Sequence, residues 1–149
     1  LNKSDKKNFG WPIASYGEHY PGVKKIHEKN KNLENFLKSA PLFKSHKKHG
    51  FKEPLKYFIP SIGISEIIKL DEEFINEKVY TILATSLNGR SLYYAKIDEN
   101  LKIFEEELLF IGNKNIKGER MRDILYVKQL NQIFLSFEET PLIAIMSIK

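Results

Sequence analysis

The half of the chain from Tyr57 onward repeats itself, and that repeat limits its possible folds more than any other feature. Ser65 to Leu70 is a short β-forming run, and Val79 to Leu87 is a longer one. Asn88-Gly89 follows, the dipeptide preferred in two-residue hairpin turns, so Ser91 to Ile97 is predicted to return antiparallel. After a turn at Asp98-Glu99-Asn100, Leu101 to Ile111 is predicted to form a fourth strand. The pattern then restarts. Arg122 to Val127 matches the first strand, Ile133 to Phe137 the second and Leu142 to Ile148 the third. Ile82-Leu83-Ala84-Thr85 lies over Ile133-Phe134-Leu135-Ser136, and Leu92 with Ile97 lies over Ile143 with Ile148, at one constant offset. A four-stranded antiparallel unit repeating about every 50 residues is the sequence signature of a β-propeller blade. The expected fold is therefore all-β: a propeller fragment of about two blades, the second lacking its outer strand. Closed propellers commonly fill such a gap with an N-terminal strand. No such strand is evident near Leu1, so the sequence is expected to be the end of a longer propeller.

Composition narrows the functional classes. The chain has 149 residues, 42% hydrophobic and 29% charged, which suits one globular domain over residues 1–149. It has no cysteine, which excludes disulfides and thiolate metal sites. No apolar run reaches the roughly 20 residues of a membrane helix, so no membrane span is expected. Leu1 to Lys7 is polar and basic and does not lead into an apolar stretch, so no signal peptide is expected in this segment. The net charge is +5, but it comes almost wholly from lysine, concentrated between Lys24 and Lys56 among asparagines and glutamates. That is the composition of a solvated surface insertion, placed at 23–53, rather than of a nucleic-acid-binding face, and no nucleic-acid partner is expected. Within it, Leu33, Phe36 and Leu37 suggest one short helix. Arginine occurs only at Arg90, Arg120 and Arg122. In a chain that otherwise uses lysine, these positions point to a need for a planar, two-pronged donor.

Three segments occur in order: Asn8-Phe9-Gly10-Trp11-Pro12, Pro60-Ser61-Ile62-Gly63-Ile64-Ser65 and Glu119-Arg120-Met121-Arg122-Asp123. Together they resemble the glucose/sorbosone dehydrogenase family, which includes soluble aldose sugar dehydrogenases. The resemblance implies the C-terminal portion of a six-bladed propeller. It implies an oxidoreductase that passes hydride from an aldose sugar to pyrroloquinoline quinone (PQQ), with a bound calcium polarising the quinone. It also implies a periplasmic or secreted location, a sugar substrate, and the remaining propeller blades as partners. The family's catalytic histidine and calcium-binding carbonyls come from blades upstream of the Asn-Phe-Gly-Trp-Pro segment, so no catalytic residue and no metal ligand is assigned in this chain.

The resemblance assigns cofactor contacts to Arg120 and Arg122. They are two positions apart at the start of a strand, which puts both on one side. Guanidinium groups suit the three carboxylates of PQQ. The alternative is an arginine pair bridging to Asp123 or Glu119 within the blade. Many relatives carry a lysine at the position of Asn88, and its absence bears on quinone affinity. Arg90 would supply the charge, Asn88 would hydrogen-bond a quinone oxygen, or Asn88-Gly89 serves turn geometry alone. Topology predicts that Arg120, Arg122, the Asn88–Arg90 turn and the Pro60–Ser65 segment meet at one end of the blades. Tyr16, with His19 and Tyr20, forms a candidate aromatic substrate rim, and Ile59 stands where many relatives place a tryptophan beside the sugar. His46-Lys47-Lys48-His49 lacks a carboxylate third ligand and is not assigned to a metal. Ser61 and Ser65 lie in no nucleophile elbow. A reading from another class stays open: a non-catalytic propeller that binds sugar or protein.

Overall fold

The computed structural model describes residues 8–11, 13–17, 43–74, 77–109 and 118–147, and of residues 71–78 only the backbone. The chain divides into two compact units, Leu1–Ser61 and Ile62–Lys149. Most of the expected insertion, its short helix, and His19 and Tyr20 of the rim lie outside the described residues.

In the first unit the backbone is held by turns. The Asn8 side chain accepts the Gly10 N–H at 2.8 Å. Gly10 is in the left-handed region at φ 88, and a β-carbon there would meet the Phe51 ring at 2.7 Å. Both demands exclude any other residue, which explains the glycine before Trp11. Ala14 forms an isolated parallel bridge with Phe43, and the Lys52 N–H closes back on the Asn8 carbonyl at 3.0 Å.

The second unit is all-β. The β-branched and aromatic alternation of its sequence gives β1 (Ile64–Phe74), β2 (Glu77–Ser86), β3 (Leu92–Asp98) and β4 (Ile103–Leu109), paired in that order. A second sheet follows: β5 (Met121–Val127), β6 (Gln132–Phe137) and β7 (Ile143–Ser147). All neighbours are antiparallel. This is the blade pattern expected from the repeat: a four-stranded unit, then a three-stranded one with β7 paired to β6. β1 runs past Leu70 to Phe74, because the backbone of Asp71, Glu72 and Glu73 continues the ladder with Tyr80, Val79 and Lys78.

The period of two places one face of each sheet in a shared core. Leu70, Leu83 and Leu92 of the first sheet meet Met121, Ile124, Ile133, Leu135 and Phe137 of the second, with Ala144 and Met146 of β7 packed against them. Each large aliphatic side chain so buried contributes roughly 1.5–3 kcal/mol. β2 and β3 are buried on both faces, with Ile82, Ala84, Ala95 and Ile97 opposite the shared core. The second sheet is different. On its outer face Leu125, Phe134 and Ile145 form one cross-strand row, and Leu125 and Ile145 are 60% and 58% exposed. The edge of β3 is covered by β4, whose Glu105, Glu106 and Glu107 give that edge a charged finish. Tyr93 donates from β3 to Glu106, and burial followed by that carboxylate pushes its phenol above the ordinary range.

The connection of β2 to β3 departs from the two-residue turn expected at Asn88-Gly89. The last ladder pair is Thr85 with Leu92. The Ser86 N–H then donates to the Ser91 carbonyl at 3.1 Å, leaving a four-residue loop, Leu87 to Arg90. Neither Asn88 nor Gly89 has the positive φ of a primed turn, whereas Arg90 does, at 50. The cause is the Ile62-Gly63 backbone. Leu87 N–H donates to the Gly63 carbonyl, and Asn88 and Gly89 both donate to the Ile62 carbonyl at 2.9 and 2.8 Å. Those bonds hold the loop against the chain leading into β1.

Candidate anion-binding site

Two irregularities in the ladders build the site. Register shifts occur between Ile64 and Ile67 in β1 and between Met121 and Asp123 in β5. The second leaves Arg122 as an extra residue opposite the Phe137–Ser136 step, a bulge of the kind that re-aims a side chain. The two irregular segments are joined, because the Ser65 hydroxyl donates to the Arg122 carbonyl. Just beyond the last β5–β6 pair, the Glu138 N–H donates to the Arg120 carbonyl at 2.9 Å.

The side chains follow from that backbone. Glu138 faces both arginines, one oxygen to each: Oε2 lies 3.0 Å from Arg120 Nε and Oε1 lies 2.9 Å from Arg122 Nη2. The sequence alternative of a bridge to Asp123 or Glu119 is thus replaced by a bridge to Glu138. Arg120 Nε is buried and has no hydrogen-bond partner among the described residues, so its 3.0 Å approach to the carboxylate is a charge contact without donor alignment. The arginine side chains are 40% and 53% exposed, and pairs of that exposure stabilise a fold by at most about 1 kcal/mol each. Asp123 instead caps the next backbone N–H, Ile124, at 2.8 Å. Glu119 is buried and accepts both the N–H and the hydroxyl of Thr140, at 3.1 and 2.5 Å, which fixes the loop carrying Glu138.

Arg90 reaches the same end of the sheets. Its guanidinium donates to the Gly118 carbonyl and to Glu139 Oε1, the latter at 3.2 Å. The β2–β3 loop, the start of β5 and the loop after β6 are therefore tied together. Asn88, exposed in the same loop, has its β-carbon beside Gly63. The structure thus gathers Arg90, Arg120, Arg122, Asn88 and the Ile62–Ser65 segment. Glu138 and Glu139 carry no motif that marks them in the sequence. The register was the available signal: if β6 pairs with β5 through Phe137 and Met121, position 138 falls beside Arg120.

Tyr16 and Ile59 belong to the first unit. The Tyr16 hydroxyl donates to Glu53 at 2.8 Å, and its ring stacks on Tyr57 at 3.9 Å and on His46 at 5.3 Å. The hydrogen bond to Glu53 raises the phenol's pKa. Glu53 is held below its usual carboxylate range, first by the Lys47 N–H and then by Tyr16. Ile59 is exposed. His46 is buried with Nδ1 3.0 Å from the Phe9 carbonyl, so that nitrogen carries the proton, while His49 stacks on Phe43. Among the described residues, no three potential metal ligands cluster.

The class is now defined: an all-β protein of consecutive blade-type sheets, with paired guanidinium groups at one end. The sequence profile of the glucose/sorbosone dehydrogenase family matches residues 2–140, and the chain belongs to that family. It is similar to an uncharacterized protein of Synechocystis sp., 25% identical over 118 residues that cover 79% of this chain. The aligned region is 23% of that relative's length, so the chain spans about a quarter of it. No solved structure gives a significant match.

Proposed function

We propose that this chain forms one wall of the quinone site in an aldose dehydrogenase that transfers hydride from sugar to PQQ. The observation that carries the reading is the arginine pair. Arg120 and Arg122 lie against the two oxygens of one carboxylate, Glu138, and so stand side by side at one end of the sheets. Their remaining guanidinium nitrogens suit acidic oxygens brought by a ligand. A tricarboxylate is such a ligand, and family membership supports the quinone in particular. The fit holds at two arginines and fails at the hairpin. Asn88 replaces the family's usual lysine, and Arg90 is spent on Gly118 and Glu139 rather than filling that role.

When bound, PQQ with its calcium supplies the electron sink that accepts the hydride. The chain's own residues do the holding. Arg120 and Arg122 neutralise and orient carboxylates, and Arg90 ties together the loops that carry them. The base and the calcium ligands belong, on this reading, to segments preceding Asn8. Tyr16 and Ile59 are proposed contributors to the sugar rim, with Ile59 offering less stacking surface than a tryptophan. The remaining propeller blades complete the site, and the location is periplasmic or secreted. A second reading, a propeller that binds sugar or protein without chemistry, is favoured by the engagement of Arg90 and the absence of the lysine.

Quinone titration of the full-length protein tests the first reading. Arg122→Ala is expected to weaken PQQ binding by about 1.5–3 kcal/mol, the loss of a charged hydrogen bond. Lys47→Ala serves as a control and is expected to change nothing. Equal affinity in the wild type and an Arg120→Ala/Arg122→Ala variant refutes the assignment.

A further inference from the structure

We infer that Glu138 is a positioning residue for the anion site, setting the separation and direction of the two guanidinium groups; this rests on the reading of Arg120 and Arg122 as ligand contacts. Two like charges two residues apart repel, and long side chains left to themselves diverge into solvent. Here they do not. One carboxylate takes Arg120 through Oε2 and Arg122 through Oε1, each at about the same distance, 3.0 and 2.9 Å. It is a spacer because each oxygen holds a different arginine, rather than both oxygens closing a fork on one.

The spacer is itself anchored. Its N–H donates to the Arg120 carbonyl, and Thr140, two residues on, is held twice by the buried Glu119. The far side of the bulge is fixed by the Ser65 hydroxyl on the Arg122 carbonyl. Backbone and charged heads are thus constrained independently. Each arginine has further guanidinium nitrogens for a ligand, since Arg120 meets the carboxylate through Nε and Arg122 through Nη2. Pre-ordering of that kind lowers the entropy cost of binding.

A simple counter-ion makes the opposite prediction. Glu138 is a negative charge beside a site for a polyanion, and removing it raises the local positive charge. If it only neutralised, both Glu138→Ala and Glu138→Gln would tighten anion binding. If it positions, both weaken it despite the gain in charge.

The test is PQQ titration of the full-length protein, followed by the quinone absorbance. Glu138→Ala is expected to lower affinity at least ten-fold. The isosteric Glu138→Gln is expected to lower it in the same direction, and it serves if the alanine variant does not fold. In an Arg122→Ala background, where there is no pair left to space, either substitution is expected to change affinity less than three-fold. Wild-type or tighter binding in the Glu138 variants overturns the inference. So does the same fold-loss with and without Arg122, which is the mark of a general effect on the fold. If Arg122→Ala and the double arginine variant bind PQQ like the wild type, the reading of the site falls. If they lose affinity and the Glu138 variants do not, only the inference about Glu138 falls.

Discussion

Replacing Gly89 with alanine tests the account of the β2–β3 loop. In the turn expected from Asn-Gly alone, the cost of alanine is a left-handed φ. In this structure Gly89 is not left-handed, and the cost is steric. A β-carbon would stand 2.8 Å from Ile62 Cβ, 2.8 Å from Ser86 Oγ and 3.0 Å from Ile62 Cγ2. Neither neighbour moves freely. Ile62 is buried, and the fully buried Ser86 hydroxyl donates to the Ser91 carbonyl at 2.8 Å and accepts the Ser91 N–H at 3.0 Å. Overpacking of this kind costs about 1–3 kcal/mol. Relief by lifting the loop instead forfeits the Asn88 and Gly89 bonds to the Ile62 carbonyl, at about 0.5–1.5 kcal/mol each, so both routes arrive at a similar loss. Urea titration followed by circular dichroism is the assay, with the midpoint falling and the slope unchanged. A destabilisation below about 0.5 kcal/mol, the range of ordinary surface substitutions, refutes the wedged loop.

The remaining predictions concern the core, the first unit and the open face. Leu135→Ala, at a position with 0% exposure between the sheets, is expected to cost about 2–5 kcal/mol in the same assay. Because Glu53 titrates below its ordinary 4.5 when folded, its contribution is present above that value and is lost as pH falls beneath it. Wild type is therefore expected to be more stable than Glu53→Gln near pH 6, with the gap closing on acidification below pH 4.5 in a denaturation series. The 149-residue chain alone is expected to self-associate through the apolar face of the second sheet, where Ile143 is 68% exposed. Ile143→Lys/Ile145→Lys is expected to reduce that association in sedimentation; a sharp monomer of the unsubstituted chain refutes it.

Much of this architecture was legible in the residues. The alternation in Val79–Leu87 and Ile133–Phe137, and their constant offset, determined the number, order and antiparallel pairing of the strands. Strands joined by short loops pair with sequence neighbours, so period and turn residues suffice. Even so, the pattern understates the length of β1, because Asp71-Glu72-Glu73 lacks the apolar alternation that marks a strand while its backbone still pairs. Residue type and spacing mark the arginine pair, but they point to Glu119 and Asp123 for its carboxylate, and the partner is Glu138. What tertiary structure alone decided lies at long separation. Ser65 meets Arg122 across 57 positions, Arg90 meets Glu139 across 49, and the Ile62 carbonyl replaces the expected hairpin turn with a loop. The first two contacts join the two sheets, which pack through Leu83, Leu92 and Leu135, and the third needs β1 already paired with β2; no local preference in the sequence encodes either in advance.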